Sequence, residues 1–163
     1  MAQQLVNNGT VAGDGTGEVL FNAFEKVNEN FTELYTRIKE VKITATAAEL
    51  KGLLATPKAL ITAAGADKVI KLISVTGFLD YGTVDFDFTA ALSIEYATSG
   101  ETIFNSAVAN FNQSADYYFK IDEFVNGGEV SVNDGVVLTT TVDATAGDGT
   151  VTLIILYTEQ QFS

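Results

Sequence analysis

Between residues 18 and 42, apolar side chains recur at alternating steps of four and three residues. This spacing places all of them on one side of an α-helix and matches a heptad repeat. We predict a helix over residues 18–42 with one continuous apolar face. The residues of that face are Leu20, Phe24, Val27, Phe31, Leu34, Ile38 and Val41, and Tyr35 widens it.

A single helix cannot bury such a face by itself, so either its own chain or further copies of the chain must cover it. Phe24 and Phe31 occupy positions where a two-stranded coiled coil has little room for phenylalanine, and Tyr35 makes the face broad enough for two neighbours. We therefore predict a homotrimer in which this face forms the subunit interface. The alternative is a helix that packs against its own chain.

The period changes after residue 42. Thr46 and Glu49 have the spacing of a capping box, which predicts a short second helix that Gly52 and Pro57 end by about Leu54. From residue 58 onward, short runs of strand-forming residues are separated by glycine-rich turns. The predicted strands are residues 59–63, 69–81, 83–88, 91–96, 102–109, 117–124, 135–142 and 150–158.

These patterns predict a mainly β fold with α structure at the N-terminus. Residues 1–17 are rich in Gly, Asn and Thr without a period and are predicted to form an extended arm. The helical region spans residues 18–57. Residues 58–163 are predicted to form an antiparallel, jelly-roll-like β-sandwich, because many short strands alternate with turns and no βαβ pattern is present.

Composition restricts the chemistry of the chain. Cysteine and histidine are absent, which removes thiolate chemistry and the side chain most used for proton transfer near neutral pH. Residues 1–71 balance in charge, whereas residues 72–163 hold thirteen acidic residues and one basic residue, Lys120. Such a surface repels phosphate backbones, so we expect no nucleic-acid partner. No signal peptide or membrane-spanning run is visible, and we expect a soluble protein made in the cytoplasm without a membrane partner.

Three pairs of carboxylates are the candidates for catalysis, namely Asp85/Asp87, Asp122/Glu123 and Asp143/Asp148. Paired carboxylates can hydrolyse glycosides when their surroundings separate their pKa values. Alternation places Asp85 and Asp87 on the solvent side of a strand beside Phe86, where nothing raises a pKa. We interpret the pairs as solvated surface and predict no enzymatic activity, no cofactor and no bound metal.

The tetrapeptide Gly-Asp-Gly-Thr occurs twice, at residues 13–16 and 147–150. Such a loop can form a nest for a cation or a phosphate. We favour simple turn geometry, in which glycine supplies a positive φ and aspartate bonds to nearby backbone. Neither loop has the spacing of a P-loop or an EF-hand.

Aromatic residues cluster at Phe104, Phe111, Tyr117, Tyr118 and Phe119 and are predicted to belong mainly to the core. Alternation places Tyr117 and Phe119 on one face of their strand and Tyr118 on the other, where an exposed Tyr118 would mark a subunit contact. Aromatic platforms of β-sandwiches also bind carbohydrate, but the absence of tryptophan makes that function a weaker alternative.

Two stretches resemble proteins of tailed bacteriophages. Residues 8–18 with residues 23–35 resemble the segment G-D-G-T-G-D … A-F-x-K-V-N-x-N-F-x-E-L-Y near the start of many virion structural proteins. The chain departs from that pattern at Glu18, where aspartate is usual, and at residues 19–21. A looser resemblance joins residues 46–50, 60–81 and 147–161 to a β-sandwich module of virion surfaces.

The resemblance implies a non-enzymatic structural protein located in the virion after synthesis in the host cytoplasm. Modules of this kind are typically homotrimeric and occur in capsid cement or decoration proteins and in tail-associated proteins. We therefore expect a homotrimeric cement or decoration subunit that stabilises the head. Its partners would be its own copies and the major capsid protein or another virion protein. A tail fibre, baseplate or adaptor component is the alternative.

Overall fold

The structure is a computed structural model of the chain. Its description covers Val6, Gly15, Gly17, residues 19–121, the backbone of 123–124, and residues 131–161, without the side chains of residues 20, 21 and 33–36. The predicted N-terminal arm therefore lies almost entirely outside the described residues. The chain divides into two compact units, residues 1–38 and residues 39–163.

The first unit contains helix α1 (Leu20–Arg37), and the second contains the short helix α2 (Ala47–Leu50) and a 3₁₀ turn at Val108–Asn110. The strands described in the second unit are β1 (Lys39–Ala45), β2 (Lys58–Ile61), β3 (Lys68–Asp80), β4 (Leu92–Tyr96), β5 (Thr102–Ser106), β6 (Tyr117–Ile121), β7 (Glu123–Phe124), β8 (Val136–Thr140) and β9 (Thr150–Gln161).

The strands form two antiparallel sheets. Sheet A has the order β1-β9-β3-β6, and sheet B has the order β2-β8-β4-β5-β7. The prediction of a mainly β fold with an N-terminal helix and an antiparallel sandwich is confirmed. When the two-residue β7 is set aside, each sheet has four strands, and consecutive strands from β1 to β4 alternate between the sheets. This eight-strand arrangement supports the predicted jelly roll, which consists of two Greek keys.

One hydrophobic core lies between the sheets and receives side chains from both of them. Ile155 of sheet A and Ile94 and Leu138 of sheet B are fully buried, as are Leu50 and Leu53 at helix α2. Helix α2 begins as predicted, because the Thr46 and Glu49 side chains form a complete capping box. Burial of this many large apolar side chains is the main stabilising term of the second unit.

The predicted helix over residues 18–42 is too long. Helix α1 ends at Arg37, and β1 follows at once, so the β structure begins at residue 39 and not at residue 58. Val41, Ile43 and Ala45 recur at the strand period of two, and the seven residues of β1 pair with β9 from Lys39↔Tyr157 to Ala45↔Val151. This tertiary pairing overrides the heptad that Val41 also fits.

The prediction of a strand at residues 83–88 is also wrong, because this segment does not form the hydrogen bonds of a sheet. The alternation itself holds, since Phe86 and Phe88 are buried while Asp85 and Asp87 are exposed. No strand of the described residues pairs with this segment. Instead, the Phe88 N–H donates to the Asn112 side chain (3.0 Å), whose amide donates back to the Phe88 carbonyl (2.8 Å).

Candidate functional site

Helix α1 carries two phenylalanines that are each more than half exposed in the single chain. Phe24 and Phe31 lie seven residues apart, so two turns separate them on the same side of the helix. Phe24 is 59% exposed and Phe31 is 53% exposed, whereas Val27 between them is half-buried. Exposed aromatic rings are a common feature of surfaces that bind other surfaces.

The eight predicted interface residues do not all lie on this helix. Leu20, Phe24, Val27, Phe31, Leu34 and Tyr35 lie in α1. The side chains of Leu20, Leu34 and Tyr35 are outside the described residues. Ile38 follows the last helical residue and is 54% exposed.

Val41 has a different role from the one predicted. It lies in β1 and packs against the core of the second unit, so it does not continue the helical face. The strand period of two, which Val41 shares with Ile43, was the signal for this placement.

The loop at residues 147–150 is built as a turn. Gly147 has φ +111°, and a Cβ there would lie 2.1 Å from the Phe86 ring, so only glycine fits without displacement. The Asp148 carboxylate accepts hydrogen bonds from the backbone N–H groups of Thr83 (2.8 Å) and Val84 (2.9 Å) and from the Thr83 hydroxyl (2.7 Å). These contacts support the turn interpretation. The equivalent tetrapeptide at residues 13–16 lies outside the described residues, apart from the backbone of Gly15.

Asp87 connects the same two loops, but it lies in the first loop and accepts hydrogen bonds from the second. Its carboxylate accepts hydrogen bonds from the backbone N–H groups of Thr145 (2.7 Å) and Ala146 (2.9 Å) and from the Thr145 hydroxyl. Asp87 and Asp148 thus connect residues 83–87 to residues 145–148 through side chain to backbone bonds. The two carboxylates take the place of the strand pairing that this segment lacks.

These hydrogen bonds also shift the pKa values of the two carboxylates. The Thr83 hydroxyl and the Val84 N–H lower the pKa of Asp148. The Ala146 N–H and the Thr145 hydroxyl lower the pKa of Asp87. A general acid needs a raised pKa, so both carboxylates have moved in the wrong direction for that role. The side chains of the predicted pair Asp122/Glu123 lie outside the described residues.

Asp134 is a further structural carboxylate that the pattern of the sequence did not single out. It is 2% exposed and accepts hydrogen bonds from the backbone N–H groups of Thr98 (2.9 Å) and Ser99 (3.0 Å). Burial acts to raise the pKa of Asp134, but the hydrogen bonds from Ser99, Thr98 and Ser131 together outweigh burial, and the pKa is lowered. Thr98 and Ser99 lie 36 and 35 residues away along the chain.

The aromatic cluster is divided between core and surface as alternation predicted. Phe104 and Phe111 are buried, and Phe119 is buried beneath the ring of Tyr117, with ring centroids 6.3 Å apart. Tyr118 points to the other face of β6 and is 77% exposed. This is the largest exposed fraction among the large hydrophobic side chains of the described residues.

Within the described part of the chain, no group of three or more potential metal-ligating side chains converges on one point. No described helix is long and apolar enough to cross a membrane.

Comparison with known protein families shows the family to which the chain belongs. The family model described as "Bacteriophage T4 gp9/10-like protein, N-terminal" matches residues 3–159, which is nearly the whole sequence. The chain belongs to this family. The match confirms the prediction of a structural protein of a tailed-bacteriophage virion. No curated protein matches the chain.

Two solved phage structures are similar to this member of the family. The "Cyanophage Pam1 capsid asymmetric unit" is 19% identical, covers 75% of this chain and 81% of its own, and has a TM-score of 0.41. The "Capsid of Ralstonia phage GP4" is 17% identical, covers 77% of this chain and 86% of its own, and also has a TM-score of 0.41. TM-scores this low do not establish a common fold, so the family match alone identifies the chain.

Proposed function

We propose that the protein is a non-enzymatic virion subunit that forms a homotrimer through α1 and binds the outside of the phage head as a cement or decoration protein. The observation that carries this proposal is the exposed apolar face of α1. Phe24 and Phe31 are each more than half exposed in one chain, and a seven-residue repeat of such rings is the pattern by which parallel helices associate.

Three copies suit this face better than two. Phenylalanine at consecutive a positions needs the wider interior of a trimer, and a helix of 18 residues is too short to hold a two-stranded coiled coil alone. A trimer formed on the symmetry axis of a shell would repeat the same contacts with each neighbouring capsid subunit. Modest individual contacts then combine into tight attachment.

The acidic character of the second unit supports a role on the virion surface without chemistry. Its loop carboxylates Asp87 and Asp148 hold backbone, and their lowered pKa values keep them charged at neutral pH. A rigid, negatively charged domain resists nonspecific contact and repels nucleic acid. These are useful properties for a subunit that stabilises a container of nucleic acid from outside.

The trimer interface is tested by placing a charge on the apolar face. Phe31→Asp should convert the trimer to monomers, because three carboxylates would meet at the centre of the interface. The matched control is Thr32→Asp, which adds the same charge at the next residue of α1, where the side chain is exposed. Multi-angle light scattering of both variants gives the mass. A Phe31→Asp protein that remains a trimer would refute the interface.

The location on the head is tested separately. Purified wild-type trimer should co-sediment with expanded, tail-less heads that lack the protein and should raise the temperature at which they open. The alternative, a tail fibre, baseplate or adaptor component, predicts no binding to such heads and binding to isolated tails. Binding to tails but not to heads would assign the protein to the tail, and it would not affect the proposal of the trimer interface.

A further inference from the structure

The outer face of sheet A contains an open groove that the proposed trimer contact through α1 does not use. The groove has a volume of about 260 Å³ and is lined by Lys42, Thr76, Gly77, Phe78, Tyr118, Thr152 and Ile154. Tyr118 rests on Phe78 with ring centroids 4.5 Å apart and is 77% exposed, and Ile154 is 38% exposed. An exposed tyrosine packed on a half-buried phenylalanine, beside an exposed isoleucine, has the composition of an interface centre.

Strand register shows how this groove is bounded. One row across the sheet reads Lys42, Ile154, Thr76 and Lys120, and the next row contains Phe78 and Tyr118. A lysine therefore lies at each end of the first row, on the two outer strands of sheet A. The apolar centre of the groove has a basic residue on either side.

This basic border is unusual for the chain. Lys42 and Lys120 are two of only nine basic residues in a chain whose net charge is −12. Lys39 alternates to the other side of β1 and pairs with Glu159 (2.6 Å), so it does not belong to this border. The occupant that the groove favours is an acidic protein surface with an apolar residue in it.

The chain itself offers such a surface. Val84 is 47% exposed in the loop after β3, and the exposed carboxylates Asp85, Asp87 and Asp148 surround it along the two connected loops. The hydrogen bonds of Asp87 and Asp148 hold this loop pair in one shape, so an apolar residue among fixed negative charges is presented without a cost in loop ordering.

We propose that the sheet A groove of one subunit binds the acidic loop pair, residues 83–87 with 145–148, of a neighbouring copy of the same chain. Val84 packs on Tyr118 and Ile154, and Asp85 faces Lys42. This contact deepens the proposed homotrimer by adding a second interface between the β-domains.

The contact is heterologous, because two different surfaces meet. Such contacts form a ring when the rotation that relates neighbouring copies closes, and an open filament when it does not. Phe78 in the groove is two residues before Asp80, the last residue of β3, and the acidic loop follows directly. The two surfaces therefore adjoin on one subunit, which is compatible with three copies that meet around one axis.

The test is a charge exchange in the full chain, read out as the rate at which ¹⁴N- and ¹⁵N-labelled oligomers exchange subunits in native mass spectrometry. Lys42→Glu and Asp85→Lys, each alone, should accelerate exchange about tenfold, because a like-charged pair replaces an attractive one. The combined Lys42→Glu/Asp85→Lys chain should return to within about threefold of the wild-type rate. Tyr118→Ala should accelerate exchange at least tenfold.

The control is Lys71→Glu, which makes the same charge change on β3 at a residue that does not line the groove. Thermal unfolding of every variant identifies one that fails to fold. Single variants that exchange at the wild-type rate overturn the contact, as does a combined variant that exchanges faster than either single one. A saccharide that binds at Tyr118 and leaves the wild-type exchange rate unchanged would also overturn the contact. That result would assign the groove to saccharide binding.

The result is separable from the trimer contact through α1. If Phe31→Asp gives monomers while the charge exchange has no effect, the α1 interface stands and the groove contact fails. If Phe31→Asp leaves the oligomer intact while the exchanged charges behave as expected, the groove contact stands and the α1 interface fails. A wild-type monomer at high concentration contradicts both.

Discussion

The two units of the chain treat phenylalanine in opposite ways. In the second unit Phe104 and Phe111 are at most 1% exposed, held within a core between two sheets. In the first unit Phe24 and Phe31 are 59% and 53% exposed along one side of α1. Both sets arise from regular apolar spacing in the sequence. The same residue type therefore completes a core in one unit and lies mostly exposed in the other.

This difference separates the folding of the second unit from the proposed assembly through α1. The core of the second unit lies between its own two sheets, and carboxylates tie its loops. Under our proposal, α1 supplies the main contact between copies and the groove of sheet A adds a second one. Variants in the core or the loop carboxylates of the second unit should therefore change unfolding, and variants on the α1 face should change mass.

The largest effect is expected at Gly77, on the inner face of β3. A Cβ there would lie 2.2 Å from the Phe119 ring, so Gly77→Val must push that buried ring out of place. We expect a loss of about 3 kcal/mol in the free energy of unfolding, measured by urea titration with tyrosine fluorescence. The control Gly52→Ala, whose nearest contact would be 3.5 Å, should stay within about 0.5 kcal/mol of wild type. Equal stability of the two variants would contradict the packing.

Asp134→Ala should give the next largest loss. It removes the buried carboxylate that accepts hydrogen bonds from the N–H groups of Thr98 and Ser99, and the loss of these charge-assisted bonds costs about 2 kcal/mol. The comparison is Asp80→Ala, which removes an exposed carboxylate at the end of β3 and should be close to neutral in the same urea titration. If Asp134→Ala unfolds at the wild-type urea concentration, the loop is not held by that carboxylate.

The pH dependence of stability should reveal Asp148. Because its pKa is lowered in the folded protein, the charged form stabilises the fold above the ordinary aspartate value of 3.8, and this contribution disappears as the pH falls through the folded pKa. Asp148→Asn lacks the contribution at every pH. The gap in urea midpoint between wild type and Asp148→Asn should therefore be widest at neutral pH and shrink below about pH 4. A gap that stays constant into acid would show that the charge is not involved.

The smallest effect on unfolding is expected from α1. Phe24→Asp and Phe31→Asp should leave the free energy of unfolding of the second unit within about 0.5 kcal/mol of wild type, when all proteins are compared at concentrations low enough to be monomeric. A clear loss of stability in the isolated monomer would show that the helix contributes to its own fold, and would remove the distinction between the two units.

Much of the second unit was predictable, because strand alternation is a local signal. Two errors show where local signals fail. Val41 fits both a heptad and a strand, and only the pairing of β1 with β9, more than 100 residues away, decides between them. Residues 83–88 alternate correctly yet lack a neighbouring strand, and their partners are side chains such as Asn112 and Asp148.

The candidate site divides in the same way. The period placed Phe24 and Phe31 on one face of α1, and alternation placed Tyr118 on the surface. The structural roles of Asp87 and Asp148 could not be predicted, because each accepts hydrogen bonds from backbone about 60 residues away. The sequence around an acidic loop residue does not indicate so distant a partner. The groove at Tyr118 likewise depends on strand order, which no single strand encodes.

The most direct measurement is the mass of the wild-type protein by sedimentation equilibrium over a wide range of concentrations. Burial of the α1 face by sister subunits predicts a species of three times the chain mass of 17.3 kDa that dissociates only on strong dilution. A single species of 17.3 kDa at the highest concentration would contradict it.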